Sequence, residues 1–199
     1  TSAVNAYGES NLGGAQAVDV LAEAVRLGKL EPEELAQSMG QVLPIASNLG
    51  VSFQEVGAAM AGMSKTGTDA ATASTQLRGI LNTLAKPTEG AKDALAGMGL
   101  SAEGLRQQIK DKGLFSTLET LTDKFEGNIE ATTSVFGNVR ALSGVLDLMG
   151  ASVDDNRKLF EQMTDEIGVL DEAFAVTADT VKFKFDKALE TTKASLLPV

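Results

Sequence analysis

The chain contains no cysteine, no histidine and no tryptophan, and its single tyrosine is Tyr7. Without imidazole or thiolate there is no Ser-His-Asp triad, no cysteine nucleophile, no disulfide, no iron–sulfur cluster and no zinc site of the nitrogen-and-sulfur kind. All-oxygen metal sites, carboxylates and lysine are the chemistries left open. Long hydrophobic runs are missing too. The longest apolar stretch, Val56 to Met63, is bounded by Glu55 and by Ser64 and Lys65, well short of the ~18 residues a membrane span needs. Positive charge is also scarce: 17 Lys+Arg against 27 Asp+Glu give a formal charge of −10 and a pI near 4.5. The summed field of such a chain repels nucleic acid and anionic lipid. The expected partner is therefore protein, with no specific nucleic acid and no membrane contact.

What is present is the composition of a folded domain. Of 199 residues, 43% are hydrophobic and 22% charged, whereas disorder would show fewer apolar residues and a larger charge imbalance. Aromatics make up only 5%, so the core must be built from Leu, Val, Ile, Met and Ala, which suits close helix packing better than a sandwich. The fold class expected is all-α, a compact module of about nine or ten short helices joined by Gly/Ser turns, with a longer C-terminal helix.

Glycine sets the rhythm. Gly28, Gly50, Gly67, Gly99, Gly113, Gly127, Gly150 and Gly168 each follow an apolar periodic run or a basic last turn, where a left-handed residue closes a helix without a Cβ clash. Restarts are as legible: Pro32 before Glu33 and Glu34, Ser52 with Glu55 as a capping box, Ser101 and Ser152 as caps. Glu103, Asp154 and Asp155 then occupy first turns, where the helix dipole favours a carboxylate. The spacing predicts helices over 15–28, 32–48, 52–66, 69–86, 88–98, 102–112, 114–126, 129–149 with a break near Gly137, 153–167 and 171–197. Val181 to Phe185 alternates like a strand, but Phe174, Val181, Phe185 and Leu189 share one helical face and no second strand is present to pair with it. One junction recurs as Leu49-Gly50-Val51-Ser52, Met98-Gly99-Leu100-Ser101 and Met149-Gly150-Ala151-Ser152. It fits either three repeats of about fifty residues or independent convergence on a helix stop and start.

No catalytic, cofactor-binding or metal-ligating residue is assigned. The carboxylate-dense region Asp154-Asp155, Glu161, Asp165-Glu166 and Asp171-Glu172 places Glu161 and Asp165 four apart on a helix, but lacks the spacing of a calcium loop and reads as a solvated acidic face. Gly97-Met98-Gly99 lacks the third glycine and the preceding strand of a dinucleotide fingerprint. Gly57-Ala58-Ala59-Met60-Ala61-Gly62 reads as a surface for intimate helix packing. The threonines Thr66, Thr68, Thr72, Thr75, Thr83 and Thr88 suit a polar helix face. Lys182, Lys184, Lys187 and Lys193, interleaved with Asp186 and Glu190, suit an ion-paired helix surface.

The organisation expected is a module over 1–170 and a C-terminal helix over 171–199 leading into a missing remainder, since both ends look cut from a longer polypeptide. The stripe Phe174, Val181, Phe185 and Leu189 is then either a seam along which copies meet or a face packed on the module itself.

The run NLGVSFQEVGAAMAGMSKTGTDAATASTQLRGILNTLAKPT from Asn48 to Thr88, then ALAGMGLS at Ala94 to Ser101 and VFGNVRALSGVLDLMG at Val135 to Gly150, closely resembles the core region of phage tail tape-measure proteins, and Gly8 to Gln37 resembles the segment leading into it. The resemblance implies a structural virion protein that sets tail tube length. It implies several copies of a mostly helical chain in the tube lumen, ejected ahead of the DNA. Its partners would be the tail tube protein, tail-assembly chaperones in the host cytoplasm, and tail-tip or baseplate proteins. An enzyme is not expected. The competing readings are a peptidoglycan-degrading or other lytic module, which would need a carboxylate in an apolar cleft, and a generic helical adaptor, which would need near-identical repeats.

Overall fold

The computed structural model describes residues 2–8 and 12–165. The expected helix over 171–197, with its Phe174 to Leu189 stripe and its lysines, lies outside the described residues, as do Gly168 and Asp171-Glu172. Among the described residues there are eleven helices and no strand, so the chain is all-α. They are α1 (Ser2–Tyr7), α2 (Gly14–Leu27), α3 (Pro32–Met39), α4 (Leu43–Leu49), α5 (Phe53–Lys65), α6 (Ala70–Ala85), α7 (Glu89–Gly97), α8 (Ala102–Phe125), α9 (Ile129–Val135), α10 (Val139–Met149) and α11 (Val153–Asp165).

Several expectations change in detail. The 32–48 helix is two, because Pro44 sits in the first turn of α4 and has no N–H to carry a helix through Gly40. The break expected near Gly137 in the 129–149 stretch is present, at Phe136 to Asn138, with the Asn138 side chain accepting from Arg140 N to start α10. Helix α1 was not anticipated. Gly113 does interrupt the 102–125 stretch, with φ +86° and ψ 173°, so α8 consists of two rods. Gly50, Gly67, Gly99 and Gly127 have the positive φ expected of a helix stop, but Gly28 and Gly150 do not. Gly28 is needed for proximity instead: a Cβ there would lie 2.7 Å from Ser64 Oγ and 3.0 Å from Ala61 Cα. The first two recurring junctions are built alike, with Ser52 accepting from Glu55 N and Ser101 from Gly104 N. The third, at Gly150, follows a different backbone path.

The architecture is a cage around α5. From Glu55 to Ser64 every residue of that helix is buried, which makes it a core helix with no solvent face. Helices α2, α6, α10 and α11 surround it. Its small residues decide how near they come. A Cβ on Gly57 would sit 2.9 Å from Met163 Cε on α11 and 3.1 Å from Val20 Cγ1 on α2, and one on Gly62 would sit 2.8 Å from Asn156 Oδ1 and 3.2 Å from Leu148 Cδ2. The same device joins α6 to α10, where a Cβ on Gly79 would meet Ala141 N at 3.1 Å and one on Gly144 would meet Met63 Cε at 3.1 Å. Close approach of backbones raises the number of dispersion contacts available to a core poor in aromatics.

Replacing Gly62 by Leu is expected to overpack the α5–α10–α11 junction and cost about 1–3 kcal/mol. Gly90, which has open space around its Cβ position in α7, should instead gain about 0.5–1 kcal/mol on replacement by Ala. Urea unfolding of both variants checks the pair; equal midpoints would refute the close-packing account.

Candidate functional site

Three places in the described chain combine unusual chemistry with defined geometry, and the first is a buried carboxylate. Glu55 lies in the first turn of α5 and is 7% exposed. Its Oε2 accepts from Ser52 N at 3.1 Å while Ser52 Oγ accepts from Glu55 N at 3.2 Å, which completes the capping box read from the sequence. Its Oε1 reaches across the core and accepts a short hydrogen bond from Leu114 N, the first amide after the Gly113 turn. One carboxylate thus closes two helix starts that are far apart in sequence. Gly113 is obligatory here, because a Cβ would lie 2.5 Å from Glu55 Oε1 and the backbone is left-handed.

Tyr7 completes the arrangement. Its hydroxyl donates to Val51 O at 2.9 Å, its ring meets Phe53 edge-on at 6.0 Å, and burial, followed by the negative charge of Glu55, pushes its pKa well above the usual phenol range. A lytic carboxylate needs an apolar cleft that admits substrate. Both oxygens of Glu55 are instead committed to helix-start donors, so the chemistry of this cluster is that of a structural clasp.

The acidic face is the second place. Asp154, Asp155 and Glu161 are exposed along α11, and Asp154 and Glu119 both accept from Arg157, whose guanidinium they hold more firmly protonated. Among the described residues no group of three or more carboxylates could hold a metal ion, and no helix is long and apolar enough to cross a membrane. Gly97-Met98-Gly99 ends α7 and follows a helix, so it offers no pyrophosphate turn.

The third place was missed by sequence reasoning. A groove of about 420 Å³ runs between Ala71, Thr72 and Thr75 on α6 and Val139, Arg140 and Ser143 on α10. Gln76 forms its floor, 7% exposed, with Oε1 lacking a hydrogen-bond partner. The threonines there read as a polar face do occupy one, with Thr72 bonded to Asp69 and Thr75 back-bonded to Ala71 O. Asp69 is held below the usual carboxylate range by the Thr72 amide and hydroxyl. Only three large apolar side chains are exposed among the described residues, and one of them, Val139 at 76%, lines this groove, while Leu146 at 48% lies seven residues further along α10. A helical period of 3.6 would have paired these positions, but the sequence does not say which face of α10 the core takes.

The sequence profile of the phage-related minor tail protein family matches residues 1–137. A tape measure protein of Pneumococcus phage Dp-1 is 30% identical over 194 residues, which is 94% of this chain and 16% of that protein. The chain thus spans about a sixth of the relative's length. No solved structure matches it.

Two measurements test the clasp. Glu55→Ala should cost about 2–4 kcal/mol, the sum of a lost cap and an unsatisfied Leu114 amide, measured by denaturant unfolding. Tyr7 keeps its proton in the folded state at pH values where an unfolded phenol, with a pKa of about 10, has lost it. Stability is therefore fully present below that pH and declines as pH rises beyond it. Because Tyr7 is the only tyrosine and tryptophan is absent, phenolate absorbance reports this group alone. It should rise together with loss of helical circular dichroism; a phenolate signal appearing near its ordinary pKa with helicity intact would contradict the buried geometry.

Proposed function

The chain belongs to the phage-related minor tail protein family, and from that premise we propose that it is a compact helical module of a tape-measure protein, structural rather than enzymatic, acting in the virion tail. The observation that carries this reading is the similarity to the Dp-1 tape measure protein along nearly the whole chain, joined to an all-helical fold. In this reading the parent protein lies in the tail tube lumen in several copies, sets the length at which tube polymerisation stops, and leaves ahead of the DNA. Tail tube subunits, tail-assembly chaperones in the host cytoplasm and tail-tip or baseplate proteins are its partners. The module spans 1–170, and 171–199 leads onward into the rest of the polypeptide.

A continuous helix of this many residues would reach ~300 Å at about 1.5 Å per residue. Here the chain folds back on itself around α5, and residues from Leu12 to Met163 share one hydrophobic core. The ruler therefore lies in other parts of the parent protein, and this part serves as a folded block on it. The net charge of −10 suits a protein that shares a channel with DNA without adhering to it. The lytic reading is disfavoured by the commitment of Glu55 to two helix starts.

Mass spectrometry of purified tails should find peptides of this chain at several copies per particle, and particles that have ejected their DNA should lack them. Lengthening a continuous helical stretch of the parent protein should extend the tail by about 1.5 Å per added residue. Absence of the chain from intact tails, or clearing of peptidoglycan in a zymogram of the 199-residue fragment, would refute the proposal.

A further inference from the structure

Helices α6 and α10 pack antiparallel. A Cβ on Gly79 would lie 3.1 Å from Ala141 N, one on Gly144 would lie 3.0 Å from Gln76 Cβ, and Thr68 Oγ1 donates to Asp147 Oδ2 at 3.2 Å, so residue numbers rise along one helix as they fall along the other. Between them runs the groove of about 420 Å³, within the range of roughly 300–1,000 Å³ that houses a small ligand.

The lining is unusual in what it leaves unspent. The Thr72 and Thr75 hydroxyls donate to Asp69 Oδ2 and Ala71 O, so what they offer the groove is lone pairs. Gln76 has its stem against Gly144, and its Oε1 has no partner. Arg140 is exposed and forms no ion pair with any described residue. The lining holds no carboxylate to neutralise it, and the acids bordering these stretches, Asp69 and Asp147, accept from Thr72 and Thr68. Val139, 76% exposed, adds apolar surface beside the guanidinium.

We infer that this groove binds an extended, acidic peptide segment of a partner protein. A helix has spent its main-chain donors and acceptors internally, whereas an extended chain brings unspent N–H and C=O groups. The N–H groups suit the lone pairs of Thr72 and Thr75, and a peptide group matches the side-chain amide of Gln76, which carries both a donor and an acceptor. A Glu or Asp side chain pairs with Arg140, and an apolar neighbour covers Val139. Charge selects the place. On a chain with a net charge of −10 most of the surface repels an acidic segment, and a groove with a guanidinium and no carboxylate is where such a segment finds complementarity. The assignment does not depend on the parent protein acting as a ruler.

Amide chemical shifts of the full 199-residue chain, titrated with the blocked peptide acetyl-Leu-Glu-Leu-amide, test the site. Shifts should concentrate at Thr72, Thr75, Gln76 and Ser143, with a dissociation constant of about a millimolar for so short a probe. The neutral peptide acetyl-Leu-Gln-Leu-amide should bind about two- to fivefold more weakly, the discrimination expected of a solvent-exposed ion pair. Arg140→Gln should abolish that difference, while Lys158→Gln, which removes an exposed cation on α11, should leave it intact. Both substituted positions are exposed, and helical circular dichroism verifies folding. Equal affinity for the two peptides, or a difference that survives Arg140→Gln, would overturn the inference by showing that the carboxylate is not read there. Acetate alone producing the same shifts at the same concentration would overturn it in favour of a simple anion site. Shifts confined to residues outside the groove, or none at about 10 mM peptide, would overturn it by leaving the groove empty.

Discussion

Everything in this structure depends on a helix that keeps no face for solvent. Once α5 is enclosed, each neighbour must approach a surface made of glycine and alanine, and the approach is close enough that single methyl groups would collide with Met163, Val20, Asn156 and Leu148. Affinity between the helices then comes from many short dispersion contacts rather than from large side chains. That accounts for a core with so few rings, in which Phe115 against Phe160 and Phe125 against Phe136 serve the periphery around α8.

Close packing leaves no water to satisfy helix ends, so side chains on neighbouring helices take that role. Glu55 accepts from two helix starts, Asn156 Nδ2 donates to Asp147 O and Leu148 O at the end of α10, and Ser64 Oγ accepts from Lys29 N just past α2 while donating to Ala61 O. Ser74 does the same for Ser38 O at the end of α3. These four buried polar residues thus sit at joints between helices, where a slip of one helix along another would unpair them.

How much of this was legible follows from how far each cause reaches along the chain. Helix starts at Ser52, Ser101 and Pro32, the Gly113 interruption and the packing role of Gly57 to Gly62 rest on neighbours within a few residues, and all were read correctly. The break at Gly40 was also encoded locally, by Pro44, but strong apolar periodicity on both sides concealed it. The bond from Leu114 N to Glu55 joins positions 59 residues apart, and no spacing rule connects them. The α6–α10 groove was illegible for a related reason: Val139 has the composition of a core residue, and its exposure depends on which face of α10 packs on α5 and α6. Family membership, by contrast, was visible in the combined pattern of glycine and alanine blocks, although no single block carries chemistry of its own.

The direction of the outer helices around α5 has a mechanical consequence. Helix α2 runs along α5 from Val20 beside Gly57 to Gly28 beside Ala61, while α11 runs the other way, from Asn156 beside Gly62 to Met163 beside Gly57. The first half of α2 and the end of α11 therefore lie at one and the same pole of α5, where Tyr7 of α1 also reaches Val51 and Phe53. A tension applied between the flanking segments cannot slide these helices along α5, which would strain all their contacts together. It lifts both away from that pole one turn at a time, so the load falls on a few contacts at any moment. A block held together in this way resists thermal opening through its enclosed core, yet yields in sequence to a pull along the polypeptide.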